Sequence, residues 1–107
     1  MNTRISGEMY ERILRSFMDL IILKELGKNV KISGYDIILL FHRKFHLLLS
    51  PGSVYSVLYA MERNGLVEGS VTGDKRIYKL SEKGEQLIRS ILRNRGNIQL
   101  FMESLLC

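Results

Sequence analysis

The side chains of this chain whose types and spacing suit them to chemistry lie between Ser50 and Arg76. Ser50, Gly52, Ser53, Tyr55, Ser56, Tyr59 and Arg63 offer hydroxyl groups, open backbone and a cation along one short stretch, in which Glu62 is the single acid. Lys75 and Arg76 follow at the tip of what reads as a hairpin. Hydroxyl and guanidinium groups can discriminate base edges, and lysine and arginine neutralise phosphates, so the set points to double-stranded DNA as a partner. Other chemistries find less support. His42 and His46 have a spacing that could put two imidazoles on one helical face, but zinc normally takes at least three protein ligands and no third is near in sequence. They read as ordinary histidines at a helix end, and no metal is expected. Asp19, Asp36, Glu62 and Asp74 are dispersed, neither histidine has an evident serine or cysteine partner, and no phosphate-cradling glycine motif is present. No catalytic residue and no cofactor is therefore assigned.

The elements that must position these groups can be read in turn. Ser50 suits an N-cap, because its hydroxyl can accept from an unpaired first-turn amide, and Pro51 suits the first helical position, where no donor is needed. Val54, Val57, Leu58 and Met61 then recur at helical spacing as a buried face, and Asn64-Gly65 stops the helix. Upstream, Ser33 caps a second helix running to about Phe45, with Asp36 at the positive end of its dipole. Ile38, Leu39, Phe41 and Phe45 can pack inward there, and His42, Arg43 and Lys44 complement the carboxyl end. Two helices joined by a short turn make a helix-turn-helix. Leu66 to Val71 and Arg76 to Leu80 read as strands around Thr72-Gly73-Asp74-Lys75, a hairpin with Val67, Gly69 and Val71 on one face.

The flanking segments carry more apolar surface than one small chain can hide. A helix is expected from about Glu8 to Leu26, after a polar lead from Met1 to Gly7 and before a break at Gly27-Lys28-Asn29. Tyr10, Ile13, Leu14, Phe17 and Ile21 form its stripe, and Met18, Leu20, Ile22 and Leu23 make its second half apolar almost all round. Ser81 caps a last helix whose apolar face includes Leu87, Ile88, Ile91 and Leu92. At Arg93 to Asn97 that helix either breaks or passes through. Beyond, Ile98, Leu100, Phe101, Met102, Leu105 and Leu106 are accompanied by one charge, Glu103. Ile91, Ile98 and Leu105 recur every seven residues, which favours helix pairing between two copies over a tail folded back on its own first helix. The expected interface comprises Phe17, Met18, Ile22, Ile91, Ile98, Phe101, Met102 and Leu105.

Length and composition agree with one small domain. The chain has 107 residues, 46% hydrophobic, with sixteen basic and eleven acidic side chains and a formal charge of +5, a balance that favours polyanions. The single cysteine, Cys107, excludes a disulfide framework, and apolar runs such as Ile37 to Phe41 are too short to cross a bilayer. A cytoplasmic location and no membrane partner are expected. The fold class is mainly α with a small β-hairpin: a winged helix-turn-helix, α-α-α-β-β-α, as one domain over 1–107. Its parts are a first helix over 8–26, the helix-turn-helix over 33–65, the wing over 66–80 and a dimerisation helix over 82–106.

From about Ser16 to Ile91 the chain resembles the PadR-like winged-helix transcription regulators. Met18-Asp19-Leu20-Ile21-Ile22-Leu23 resembles the first-helix pattern of that family, Ser33-Gly34-Tyr35-Asp36-Ile37 its second-helix opening, and Leu49-Ser50-Pro51-Gly52-Ser53-Val54-Tyr55 its reading-helix opening. Met61-Glu62 with Gly65-Leu66-Val67, and Arg76 to Gly84, resemble the helix exit and the wing with its return. The resemblance implies a homodimer, with the C-terminal helix of one copy on the first helix of the other, bound to a roughly palindromic operator and usually repressing. Ser33 stands where the family commonly has His, and Ser56 where it commonly has Pro. Members that bind flat aromatic compounds stack them on Trp, which this chain lacks; any small-molecule effector is unidentified. The alternative function is a winged helix that binds other proteins and no DNA.

Overall fold

A computed structural model describes residues 7–28 and 30–107; the expected polar lead, apart from Gly7, and Asn29 of the expected break lie outside the described residues. The chain runs α1 (Gly7–Ser16), α2 (Met18–Leu26), β1 (Ile32–Ser33), α3 (Gly34–Phe45), α4 (Pro51–Arg63), β2 (Val67–Thr72), β3 (Lys75–Leu80), α5 (Glu82–Arg93) and α6 (Arg95–Leu106). Helices dominate, and one antiparallel sheet in the order β1-β3-β2 completes a winged helix-turn-helix.

The first helix expected over 8–26 is in fact two. Phe17 leaves helical geometry at φ −110°, ψ 17°. Just before it the Ser16 hydroxyl donates to the Arg12 carbonyl at 2.9 Å, a back-bond that tends to bend helices. The bend separates two environments. In α1 only Leu14 is buried, whereas α2 buries Met18, Ile22, Leu23 and Leu26. Those α2 side chains join Ile37, Phe41, Leu49, Val54, Leu58, Met61, Val67, Tyr78 and Ile88 in one core. The nearly all-round apolar character of α2 is thus satisfied within the chain, by α3, α4, the sheet and α5.

Caps fix the boundaries around α3 and α4. The Ser33 hydroxyl accepts from the Asp36 amide at 3.1 Å while the Ser33 amide donates to the Asp36 carboxylate at 2.9 Å, a reciprocal capping box. Helix α3 ends at His46, whose φ of 55° and ψ of 33° turn the chain toward α4. Ser50 accepts from the Ser53 amide at 3.2 Å with Pro51 opening the helix. At the far end Gly65 adopts φ +76°, the Gly65 amide donates to Glu62 O at 3.0 Å and the Leu66 amide to Met61 O at 2.9 Å. That pair of bonds is the Schellman stop, and it aims the chain into β2.

The linker before α3 contains β1, which the sequence reading missed; Ile32 pairs with Tyr78 and Ser33 with Ile77. The wing is in register from Val67↔Leu80 to Thr72↔Lys75, closed by Gly73-Asp74 with Gly73 at φ +66°. Val71, expected on the packed face, is exposed because the hairpin outruns the core after Gly69. Helix α5 is bolted to the exit of α4: the Ser81 amide donates to Leu66 O at 3.1 Å and Lys83 Nζ to Asn64 O at 3.0 Å. The question left open at Arg93 to Asn97 is answered at Asn94, which departs from helical geometry at φ −103°, while Gly96 sits inside α6. No residue of α6 is buried, and the longest dimension of the molecule reaches 48 Å.

Candidate nucleic-acid interface

With Val54, Leu58 and Met61 sealed in the core, α4 presents its opposite face outward. Gly52, Tyr55, Ser56, Tyr59 and Arg63 are exposed, Tyr59 to 65%. Arg63 lies over the Tyr59 ring, 5.5 Å from its centroid, so the cation and the phenol form one unit at the carboxyl end of the face. Lys75 is exposed beside the wing turn. These are the sequence-predicted groups the fold leaves available.

Others are committed elsewhere. The Ser50 hydroxyl is used in the cap, and it meets the Ser53 hydroxyl at 2.8 Å. Ser53 is half-buried and also accepts from Arg15 Nη1 of α1 at 3.4 Å. Arg15 in turn is held by Glu11 at 2.7 Å. The sequence offers no local signal for a contact across 38 positions. Tyr55 packs on the start of α3: a Cβ at Gly34 would stand 2.5 Å from its ring, so Gly34 is what admits the phenol there. A shallow groove of about 350 Å³ runs beside α4, lined in part by Arg15, Asp19, Ser56 and Asn64.

Arg76, expected among the DNA-contacting cations of the wing, has a partner within the chain: its Nη2 donates to both oxygens of Glu62, at 2.8 and 2.6 Å. The Gly69 amide donates to the same carboxylate at 3.2 Å, and the guanidinium lies 5.6 Å from the Tyr78 ring centroid. The hydrogen bond from Arg76 holds the Glu62 carboxyl below its ordinary range, against the smaller opposing effect of burial. The reciprocal bond raises Arg76. Glu62, the single acid of the stretch, is thus an internal counter-ion of Arg76. Lys79 on the wing is likewise near an acid, Glu68, at 3.6 Å.

The expected self-association residues also divide. Met18 and Ile22 are 3% and 0% exposed within the single chain and have no surface to give, because the core uses them. Phe17, Ile98, Phe101 and Leu105 are exposed; Ile91 and Met102 are half-buried. His42 and His46 are both exposed, and the left-handed turn at His46 takes it off the helical path of His42. Among the described residues no group of three or more His, Cys, Asp or Glu side chains comes together, and no helix is long and apolar enough to cross a membrane.

Comparison with known proteins bears on this arrangement. The model of the transcriptional regulator PadR-like family matches residues 22–90, more than half of the chain. The chain belongs to the PadR-like family of transcriptional regulators. Among solved structures, a transcriptional regulator from Clostridium thermocellum is 18% identical, with a TM-score of 0.72 over 94% of this chain and 96% of that one. A PadR-like transcriptional regulator from Bacillus cereus is 22% identical, with a TM-score of 0.72 over 89% of this chain and 96% of that one. PadR from Bacillus subtilis, solved in complex with operator DNA, is 23% identical, with a TM-score of 0.58 over 70% of this chain and 46% of that one. At these identities the likenesses establish the fold. No match was found among curated proteins. The matched span takes in α3, α4 and both strands of the wing, the elements that carry the exposed groups above.

Proposed function

We propose that this PadR-like regulator binds double-stranded DNA as a homodimer, reading a palindromic operator with α4 and repressing the adjacent promoter. The observation that carries the reading is the outward face of α4: Ser56, Tyr59 and Arg63 are exposed, and the one acid of the helix is neutralised by Arg76. Such a face can enter a major groove without presenting an uncompensated carboxylate to phosphate, and Lys75 at the wing tip can reach the backbone. The operator complex of Bacillus subtilis PadR, whose fold this chain shares, supports the same assignment. The exposed apolar row Ile98, Phe101 and Leu105 on α6, with Phe17 at the α1–α2 bend, supports self-association, since surface of that kind marks interaction sites.

The test is selection of bound sequences from random duplex DNA by the purified chain, followed by mass measurement of the complex. Two half-sites in dyad relation, about 34 Å apart or a multiple of it, with two protomers per duplex, are expected. Enrichment of a single half-site by a monomer would overturn the dimeric part. No binding at low salt would overturn the DNA reading and favour a module for protein partners.

A further inference from the structure

The base of the wing is anchored by the core and by β1, but its outer half, beyond Gly69 on β2 and Ile77 on β3, is held by little besides its own pairing and one carboxylate. Val67 on β2 and Tyr78 on β3 are buried, but from Ser70 to Arg76 every residue is exposed. Beyond the reach of β1, which pairs with β3 only at Tyr78 and Ile77, the hairpin is a two-stranded ribbon with little buried surface, and such a ribbon is marginally ordered by itself. Glu62, in the last turn of α4, reaches both strands at once: the Gly69 amide on β2 at 3.2 Å, and Arg76 on β3 at 2.6 and 2.8 Å. Gly69 makes room for this. A Cβ there would stand 2.7 Å from Arg76 Nη2 and 2.9 Å from Glu62 Oε2, so the strand is free of a side chain where the ion pair crosses it. The guanidinium also rests on the ring of the buried Tyr78, which ties the arrangement to the core.

We propose that Glu62 is a positioning residue for DNA recognition: by gripping the Gly69 amide and Arg76 together, it fixes the wing to the reading helix so that Lys75 and the outward face of α4 meet a duplex as one rigid surface. The inference rests on the DNA-binding reading above and extends it to a residue that touches no DNA. A partly exposed ion pair contributes little to stability. Its contribution here is to orientation, because Lys75 immediately precedes Arg76 in β3 and moves with it. Charge counting and positioning predict opposite outcomes for Glu62→Gln. If Glu62 were only an acid near a polyanion, its neutralisation would raise affinity for every duplex alike. If it positions the wing, operator preference falls, while the released Arg76 adds to sequence-independent binding and steepens the salt dependence by about one unit per protomer.

The experiment titrates the intact protein and its Glu62→Gln, Arg76→Gln, Arg76→Lys and Glu62→Gln/Arg76→Gln variants against a selected operator and a scrambled duplex at several salt concentrations. Exchange of the Gly69 amide is followed in the free proteins. Expected are a fall of about tenfold or more in the operator-to-scrambled ratio for Glu62→Gln, comparable to one lost base contact, and no further fall in the double variant. The Gly69 amide exchanges faster in Glu62→Gln, and Arg76→Lys, which keeps the charge, retains part of the preference. An unchanged ratio in Glu62→Gln, or an equal rise for both duplexes, overturns the positioning role. Should Glu62→Gln fail to fold, the ratio in Arg76→Gln decides: a wild-type value overturns the role and a tenfold fall supports it. A wild-type chain that binds no duplex at low salt overturns the DNA reading itself and the positioning role with it. A wild-type chain that prefers its operator while Glu62→Gln keeps that preference overturns the positioning role alone.

Discussion

Truncation of Phe101 to Ala tests whether α6 carries the proposed self-association. In the single chain Phe101 is 61% exposed, on a helix that buries none of its residues. A phenylalanine side chain offers roughly 200 Å², so about 120 Å² of it is open for a second copy to cover. Ala retains roughly a third of that, which leaves ~80 Å² lost from each of two protomers. At ~25 cal/mol per Å² the loss is about 4 kcal/mol for full cover and about 2 kcal/mol for half cover. The dimer dissociation constant should rise roughly 30- to 1000-fold, read by sedimentation equilibrium across the micromolar range. The core cluster contains no α6 residue, so far-ultraviolet circular dichroism of the variant should match that of the intact chain. A Phe101→Ala protein that dimerises as tightly as the intact chain would place the interface elsewhere. An intact chain that is a folded monomer at micromolar concentration would refute the dimer, and a truncation ending at Asn94 that stayed dimeric would clear α6 of any part in it.

Three further outcomes follow from the geometry. Lys75→Ala should weaken operator and scrambled duplex alike and lower the salt slope by about one per protomer, whereas Ser56→Ala and Tyr59→Ala should mainly erode preference, by about 1 to 3 kcal/mol where a base contact is lost; parallel titrations at several salt concentrations separate the two patterns. Gly84→Ala forces a Cβ against the Leu66 carbonyl at the joint between α4 and α5. Neither backbone can yield cheaply, so a loss of about 1 to 3 kcal/mol is expected, and thermal melts at matched protein concentration should fall by about 4 °C per kcal/mol. The Glu62 carboxyl lies below its ordinary value of 4.5 in the folded protein. Its contribution to stability is therefore complete above that value and is lost as pH falls through the lower folded one, so acid unfolding of the Glu62→Gln variant should lack this component.

What the sequence made legible was local, and what it hid was tertiary. The boundaries of α4 could be read because each rests on neighbours in the chain: Ser50 reaches the Ser53 amide, and Gly65 supplies the left-handed turn that sends Leu66 back to Met61. The same holds for the capping box of Ser33 and Asp36 and for the Gly73-Asp74 turn. Apolar periodicity identified α2 as a helix buried on several sides but could not say by what, and Met18 and Ile22 were given to a partner when the core of the chain itself takes them. The bend at Phe17 escaped for a related reason: a continuous apolar stripe says nothing about where a helix axis must turn to enter a core. Charge misled most. Arg76 and Glu62 are 14 positions apart, and nothing local marks them as partners, so the cation looked free and the acid looked misplaced. The fold makes each explain the other. On the outward side of α4 that acid is answered by a wing arginine, and the glycine that admits the pair, Gly69, reads in sequence only as a gap in strand alternation.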